Sequence, residues 1–257
     1  MSDAPVLYSV DERVATITLH RPEKLNAWTT AMDGAFRAAV QEAGDDPEVR
    51  VVMVTGAGRG FCAGADMGLL ETLAAQGAPA GLPLQFDFLQ ALPKPVIAAV
   101  NGPAVGLGLI LTLHCDLRFA SSEARFGTAF AKRGLIAEYG MAWLLPRLIG
   151  PANALDLLFS ARIVDAAEAL RLGLVNQVFP APTFLFDVMA YAKELATAVS
   201  PRSMAVMKRQ VYEGLAQSFD EASAVAGQEM ELSLRSEDFR EGVAHFLEKR
   251  PPSFTGR

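Results

Sequence analysis

The stretch GTAFAKRGLIAEYG, Gly127 to Gly140, contains one carboxylate, Glu138, among residues that are mostly small, apolar or basic. Two interpretations of this carboxylate are open. It is either the acid/base of an active site, or a solvated charge at the start of a helix that we predict over Met141 to Leu148. The second interpretation needs only the helix dipole, which favours an acidic side chain near a helix N-terminus.

Two glycine-rich turns are the other candidates for chemistry. They are RGFCAGADM, Arg59 to Met67, and NGPAVGLGLILTLHCD, Asn101 to Asp116, and each follows a predicted buried strand. Neither contains the Gly-Lys-Ser/Thr of a phosphate loop or a clean Gly-x-Gly-x-x-Gly pattern. Such turns can leave backbone N–H groups free, and Gly106 begins a helix whose first amides lack partners. Two such donors could converge on one carbonyl oxygen as an oxyanion hole, or the glycines could simply allow tight turns.

The elements that would position these residues alternate along the chain. Strand patterns occur at Val6–Val10, Val14–Leu19, Val51–Thr55, Val96–Val100, Leu117–Ala120 and Val175–Phe179. The first two are predicted to form a hairpin, and the continuously apolar strands indicate a parallel sheet that is covered on both faces. Helices between the strands then predict an α/β architecture. Asp66 and Asp116 are expected to accept hydrogen bonds from backbone donors at turns.

Helices are predicted after Thr29 or Thr30 and from Asp165, where Glu168 completes a start signal and Gly173 ends the helix. Further helices are predicted over Thr183–Val199, Pro201–Leu215 and Phe219–Leu234, and from Ser236 to the Pro251-Pro252 pair. The region from Gly64 to Pro93 is predicted to be a loop, with AAQGAPAGLP as a mobile lid. We therefore expect an α/β core over residues 1–195 and a helical region over residues 196–257 that packs on the core or on a neighbouring subunit.

Composition and charge exclude several classes of protein. The 257 residues are 51% hydrophobic, and the net charge of −6 includes no basic stripe, so nucleic acid is a poor candidate partner. The apolar run Val96–Leu113 is interrupted by Asn101-Gly102-Pro103, so we expect no membrane span. The N-terminal MSDAPVLYSVDER has neither a basic nor an apolar signal region, so we expect no secretory signal. Cys62, Cys115 and the three histidines show no metal spacing, which predicts reduced thiols, no metal site and a cytoplasmic location.

Four motifs in order resemble the crotonase superfamily, the enoyl-CoA hydratase/isomerase group. They are LHRPEKLNAW, GRGFCAGADM, KPVIAAVNGPAVGLGL and LRLGLVNQVFP, and the C-terminal HFLEKRPPSF is similar to the closing helix of that family. The resemblance implies a spiral of β-β-α units with a helical C-terminal trimerisation region, and trimers that often pair into hexamers. It also implies an acyl-CoA thioester as substrate, with coenzyme A as part of that substrate and no permanently bound cofactor.

By the same resemblance, the oxyanion amides are those of Ala65 and Leu107. The family usually has glycine where this chain has Leu107, but a backbone donor does not require glycine. The two glutamates that hydratases of this family use to activate water are replaced here by Ile110 and Phe130. Glu138 falls where some members, including dienoyl-CoA isomerases, place a catalytic aspartate.

An acyl pocket beside Glu138 is expected to desolvate its carboxylate and raise its pKa toward a value suited to proton transfer. Candidate pocket residues are Met67, Leu70, Ile110, Phe130, Met141 and Trp143. The resemblance places coenzyme A contacts at Ala63, Lys24, Phe246 and Lys249. Gly68 stands where the family often has a basic residue, so one pyrophosphate contact is missing.

The residues and the resemblance together predict an enzyme that moves the double bond of an enoyl-CoA, or hydrates it by an atypical route, with Glu138 as acid/base. Two alternatives stay open. The loss of both usual glutamates is compatible with an acyl-CoA-binding protein that has little or no turnover. A hydrolase or decarboxylase of an unusual acyl-CoA would use the same oxyanion hole.

Overall fold

The structure is a computed structural model that describes residues 4–76 and 86–257. Its strands, in chain order, are β1 (Val6–Asp11), β2 (Val14–Leu19), β3 (Val51–Gly56), β4 (Val96–Val100), β5 (Pro103–Val105), β6 (Leu117–Ser121), β7 (Arg125–Gly127), β8 (Val164–Asp165) and β9 (Gln177–Phe179). Its α-helices are α1 (Thr30–Asp45), α2 (Met67–Gln76), α3 (Phe88–Ala91), α4 (Leu107–His114), α5 (Met141–Ile149), α6 (Pro151–Ser160), α7 (Ala166–Leu172), α8 (Phe184–Ala198), α9 (Pro201–Gly214), α10 (Phe219–Arg235) and α11 (Glu237–Glu248). Two short 3-10 helices cover Pro22–Lys24 and Ala131–Arg133.

The main sheet has the predicted hairpin at one edge and parallel strands beyond it. Its strand order is β1-β2-β3-β4-β6-β9, and β5, β7 and β8 form a smaller sheet. β1 pairs with β2 antiparallel, and every later pair in the main sheet is parallel. Because parallel strands end at a common edge, the turns that follow β3 and β4 lie next to each other. This edge is where the two glycine-rich turns meet.

Both faces of the main sheet are covered, as the continuously apolar strands predicted. Every residue of β3 and β4 is buried. One face of the sheet packs against α1 and α4 and forms the larger of two hydrophobic clusters. Met32 and Phe36 of α1 are wholly buried there. The opposite face packs against α8 through Val188 and Ala192. α8 continues across residues 195 and 196, and the division of the chain into two units at that point stays a prediction.

Most helix boundaries follow from local capping chemistry. The Asp165 side chain accepts the Glu168 N–H at 2.8 Å, and Gly173 ends α7 with φ 81°, so both predicted signals are confirmed. Asp66 and Asp116 also accept backbone N–H groups, from Gly68 at 3.0 Å and from Val96 at 2.7 Å. The predicted turn role of Asp66 is therefore confirmed. The carboxylate of Asp116 instead accepts from the first residue of β4, twenty positions away, and it also binds Lys208 and Tyr212.

Three predictions differ from the structure by more than one residue. The last strand begins at Gln177, because Val175 N–H donates to the Ala169 carbonyl in the chain reversal after α7. The last helix ends at Glu248, since Lys249 adopts a left-handed conformation before the prolines are reached. The region predicted as a loop contains α2 and α3. The helix α2 forms because its residues are mostly good helix formers and because Asp66 caps its first turn. It was predicted as a loop because Gly77 and Pro79 follow it in the sequence. Of the predicted lid segment AAQGAPAGLP, residues 74–83, the first three residues belong to α2, and residues 77–83 lie outside the described residues.

The C-terminal tail is held by buried charged groups. Arg50, 8% exposed, donates to the carbonyls of Ala196 and Phe254. Asp238 accepts from the Ser200 hydroxyl and from the Thr255 amide. These contacts tie the chain beyond α11 to α8, α9 and the main sheet. In residues 4–76 and 86–257, no helix is long and apolar enough to cross a membrane.

Candidate active site

A cavity of about 920 Å³ opens where the turns after β3 and β4 meet. Its walls come from the start of α1, the first glycine-rich turn, α2, the start of α4, and the segment between the second 3-10 helix and α5. The residues that line it are Trp28, Thr29, Thr30, Asp33, Ala63, Gly64, Ala65, Met67, Leu69, Leu70, Glu71, Leu73, Ala74, Gly106, Leu107, Phe130, Arg133, Leu135, Glu138 and Tyr139.

The two glycine-rich turns touch through their backbones. Val105 N–H donates to the Cys62 carbonyl at 2.9 Å, and Cys62 pairs with Ala104 as an isolated parallel bridge. A Cβ atom at Gly108 would lie 2.1 Å from the Cys62 carbonyl oxygen, so only glycine fits there. Gly64 has φ 104° and its added Cβ would lie 3.0 Å from the Val105 carbonyl oxygen. The glycines therefore serve this close approach as well as the turns themselves.

Each turn contributes to the cavity wall a residue whose backbone N–H has no backbone acceptor among the described residues. Trp28 and Ala65 form a parallel bridge in which Trp28 N–H donates to the Gly64 carbonyl and Asp66 N–H donates to the Trp28 carbonyl. This pattern leaves the Ala65 N–H outside the ladder. Leu107 is the first residue of α4, and the first N–H groups of a helix have no intrahelical acceptor. Ala65 and Leu107 both line the cavity.

Glu138 is half-buried and lines the same cavity. Burial raises the pKa of its carboxyl group above the ordinary value. α5 begins at Met141 with Gly140 as its N-cap, so Glu138 precedes the helix and does not belong to its first turn. The cavity thus brings together a partly desolvated carboxylate and two backbone donors from the adjoining turns.

The structure places the other predicted pocket residues in three environments. Ala63, Met67, Leu70 and Phe130 line the cavity. Ile110 and Met141 are wholly buried in the core and do not line it. Trp143 is 42% exposed on α5, where the Arg147 guanidinium carbon lies 3.7 Å from its ring centre, and it does not line the cavity either.

The predicted coenzyme A contacts other than Ala63 lie away from the cavity walls. Lys24 is exposed in the first 3-10 helix. Phe246 is 77% exposed on α11, and Lys249 caps the end of that helix with φ 55°. Their roles in binding coenzyme A stay predictions.

Several cavity residues were not predicted from the sequence. Asp33 lies on α1, Glu71 on α2, and Arg133 and Tyr139 flank Glu138 on either side. Met67 and Leu70 of α2 were predicted, but Leu69, Glu71, Leu73 and Ala74 were missed because that region was predicted to be a loop. Arg133 and Tyr139 share the short segment with Glu138, and this proximity was the available signal for them.

The remaining groups with potential reactivity are buried or dispersed. Cys62 and Cys115 are free and buried, and burial raises the pKa of each thiol to about 12, so both are neutral thiols at pH 7. In the part of the chain that the structure describes, no group of three or more histidine, cysteine, aspartate or glutamate side chains could hold a metal ion.

Comparisons with known proteins show which sequences and folds this chain is similar to. A sequence profile described as enoyl-CoA hydratase/isomerase matches residues 9–257. The chain is 39% identical over 267 residues to the "Probable enoyl-CoA hydratase" of Rhodobacter capsulatus, covering 100% of both chains. It is 36% identical over 259 residues to the 1,2-epoxyphenylacetyl-CoA isomerase of Escherichia coli, covering 98% of each. A crystal structure of an enoyl-CoA hydratase from Polaromonas matches with a TM-score of 0.91 and 31% identity, over 97% of this chain and 99% of that chain. The α/β crotonase-like fold expected from the motifs is confirmed.

Proposed function

The chain belongs to the enoyl-CoA hydratase/isomerase family, and we propose that it moves the double bond of an enoyl-CoA thioester with Glu138 as its single acid/base. One observation carries this proposal. The half-buried carboxylate of Glu138 lines the same cavity as Ala65 and Leu107, whose amides have no backbone acceptor among the described residues. The Escherichia coli relative, a 1,2-epoxyphenylacetyl-CoA isomerase by name, supports isomerisation as the reaction class.

In this proposal the thioester carbonyl oxygen accepts hydrogen bonds from the Ala65 and Leu107 amides. The Glu138 carboxylate removes a proton from C2 of a 3-enoyl-CoA, and the electron pair moves into a dienolate whose oxygen the two amides stabilise. The protonated Glu138 then returns the proton to C4, which yields the 2-enoyl-CoA. No atom is gained or lost, and the dipole of α4 adds to the stabilisation of the oxyanion.

Isomerisation suits this site better than hydration by two glutamates. The two positions that would carry those glutamates are Ile110, wholly buried in α4, and Phe130, a cavity wall residue that is 6% exposed. Neither side chain can transfer a proton. Hydration would therefore need Glu138 to orient water alone, whereas the return of one proton to another carbon needs one carboxylate.

We propose that coenzyme A enters and leaves as part of the substrate, so that the protein needs no permanent cofactor. Ala63 lies beside the oxyanion amides, and Met67, Leu70 and Phe130 line the acyl end of the cavity. Lys24, Phe246 and Lys249 would contact the nucleotide part. Because Phe246 is exposed on α11, its proposed adenine contact would serve the site of a neighbouring subunit.

We further propose that the protein is a homotrimer or a hexamer formed by two trimers. The C-terminal helices α9 to α11 leave large apolar side chains at least 45% exposed, which is typical of a surface that another chain covers. These side chains are Met207, Val211, Leu215, Phe219, Met230, Leu232, Leu234, Phe239, Val243, Phe246 and Leu247. Sedimentation equilibrium should give three or six times the mass of one chain, and Val211→Glu should weaken this association. A mass of one chain at micromolar concentration would contradict this proposal.

We place this activity in the cytoplasm, because both cysteines are buried thiols of the kind that reducing compartments maintain. Fractionation of cells that produce the protein would check this location, and recovery from an oxidising compartment would contradict it.

Turnover of matched 3-enoyl- and 2-enoyl-CoA thioesters tests the proposed reaction. We expect interconversion of the two isomers and little 3-hydroxyacyl-CoA. In deuterated water, deuterium should enter C2 or C4 only to the extent that the protonated Glu138 exchanges with solvent before it returns the proton. Formation of 3-hydroxyacyl-CoA as the main product would instead favour atypical hydration. Tight binding of every thioester with no turnover would overturn the enzyme and support the acyl-CoA-binding alternative, which the loss of both hydratase glutamates favours.

A further inference from the structure

His114 ends α4 and contacts the segment that carries Glu138. The side chain is buried, at 5% exposure, and its Nε2 lies 3.0 Å from the backbone carbonyl oxygen of Tyr139. A carbonyl oxygen can only accept a hydrogen bond, so Nε2 must carry the hydrogen. The sequence showed His114 only as an isolated histidine without metal spacing, and the proposed reaction does not use it.

The other ring nitrogen defines the protonation state. Nδ1 of His114 is buried and has no hydrogen-bond partner among the described residues. A proton on Nδ1 would therefore create a buried donor without an acceptor, together with an unpaired charge. Burial also lowers the pKa of this imidazole. His114 is thus the neutral tautomer with hydrogen on Nε2, a fixed donor to the Tyr139 carbonyl.

The segment that His114 contacts is a turn with an unusual backbone. Met141 N–H donates to the Glu138 carbonyl at 2.9 Å, and the central residues Tyr139 and Gly140 have φ 47° and φ 78°. Positive φ at both central positions is typical of a type I′ turn, and it is uncommon for a residue with a large side chain such as tyrosine. Such conformations persist where surrounding contacts hold them. The imidazole also packs on Gly140, where an added Cβ would lie 3.8 Å from its Cε1 and Nε2.

We propose that His114 is a positioning residue that holds the Glu138–Gly140 turn and so fixes the Glu138 carboxylate relative to the oxyanion amides. α4 begins with Leu107 and ends with His114, so one helix of about 10 Å carries an oxyanion donor at one end and this contact at the other. The positions of the Glu138 carboxylate and the Leu107 N–H are then both fixed by the same rigid helix. This inference rests on the proposed role of Glu138.

Four variants test this role: His114→Leu, His114→Gln, Glu138→Gln and the double variant with His114→Leu and Glu138→Gln. His114→Leu keeps an apolar volume and removes the donor, whereas the amide of His114→Gln can still donate to the Tyr139 carbonyl. We expect His114→Leu to lower kcat about tenfold to a hundredfold with KM within about threefold, since a displaced base affects the chemical step more than binding. We expect His114→Gln to retain most of the activity. Adding His114→Leu to Glu138→Gln should cause no further loss, because the two residues act through one carboxylate.

Leu113→Ala is the matched control for loss of packing, because Leu113 is a buried neighbour in α4 outside the cavity. It should lower the melting temperature and leave kcat within about threefold of the wild type. Equal losses from His114→Leu with and without Glu138 would overturn the positioning role, and so would wild-type kcat in His114→Leu. If Glu138→Gln alone retains full activity, the proposed function fails first. If His114→Leu does not fold, His114→Met replaces it as the variant that lacks the donor. Wild-type activity in His114→Gln together with loss of activity in His114→Met then supports the inference. Equal activity of these two variants overturns it.

Discussion

Glu138→Gln should lower kcat by about a hundredfold or more while the Kd for an acyl-CoA stays within about twofold of the wild type. The substitution keeps the size of the side chain and its place on the cavity wall, but an amide cannot accept and return a proton. Single-turnover kinetics with a 3-enoyl-CoA, together with calorimetric titration, would separate the loss in rate from any loss in affinity.

The pH dependence of the same pair of proteins gives a second readout. Burial raises the pKa of Glu138, so kcat for proton removal should rise with pH through a pKa above that of an ordinary glutamate. This limb should disappear in Glu138→Gln. The effect of pH on stability has the opposite sign. When the pKa of a carboxyl group is higher in the folded than in the unfolded protein, the free energy of unfolding decreases as the pH rises from the unfolded-state pKa through the folded-state pKa. Glu138→Gln should therefore be no less stable than the wild type at pH 7.

Glu123→Gln is the matched control for this prediction. Glu123 is an exposed glutamate in the turn after β6 and does not line the cavity. Its substitution should leave both kcat and the pH profile unchanged. Wild-type turnover in Glu138→Gln would show that Glu138 is a solvated charge, and the enzyme would then need another acid/base.

Leu107→Pro should lower kcat by about a hundredfold to a thousandfold, which corresponds to the roughly 3–4 kcal/mol measured for loss of one oxyanion donor. Proline removes the N–H of Leu107, and the first position of an α-helix is the one that accepts proline best. The preceding residue, Gly106, has φ 57° and ψ −117°, an extended mirror-image conformation that glycine adopts without a steric penalty. The helix should therefore persist while the donor is lost.

Leu107→Ala separates the donor from the side chain. It keeps the N–H and removes a nearly buried leucine, so it should destabilise the protein by about 2–4 kcal/mol and change kcat much less than Leu107→Pro does. Circular dichroism and thermal melts on both variants would verify that α4 is retained. Equal kcat values for the two variants would exclude the Leu107 amide from catalysis and leave the Ala65 amide as the candidate donor.

Elements with strong local signals were predictable from the sequence. The hairpin of β1 and β2, the buried strands β3 and β4, and the cap of α7 by Asp165 each depend on residues within a few positions of one another. The wrong prediction of a loop at α2 also came from local signals. The glycine and proline that follow α2 were given more weight than its own helix-forming residues. The ends of β9 and α11 depend on a chain reversal and a left-handed cap, which hydrophobic periodicity does not show.

The candidate site was predictable only in part. Motif resemblance indicated Ala65, Leu107 and Glu138, and the structure places all three on one cavity. Trp143, a candidate residue of the acyl pocket beside Glu138, is 42% exposed on α5 and does not line this cavity. Helical periodicity cannot tell which side of a short helix faces a cavity when both sides carry apolar residues.

By itself, the sequence determined the six strands of the main sheet, most of the longer helices, the two glycine-rich turns and the isolated carboxylate, because these depend on local conformational preference and hydrophobic pattern. Only the tertiary structure decided that the turn at Cys62 lies against Ala104, and that His114 donates to the carbonyl of Tyr139. The first contact joins residues 42 positions apart, and it forms because the parallel strands β3 and β4 bring their following turns to one edge of the sheet. The second joins residues 25 positions apart, where the end of α4 packs against the turn before α5. Neither the backbone approach nor the buried hydrogen bond leaves a periodic trace in the sequence.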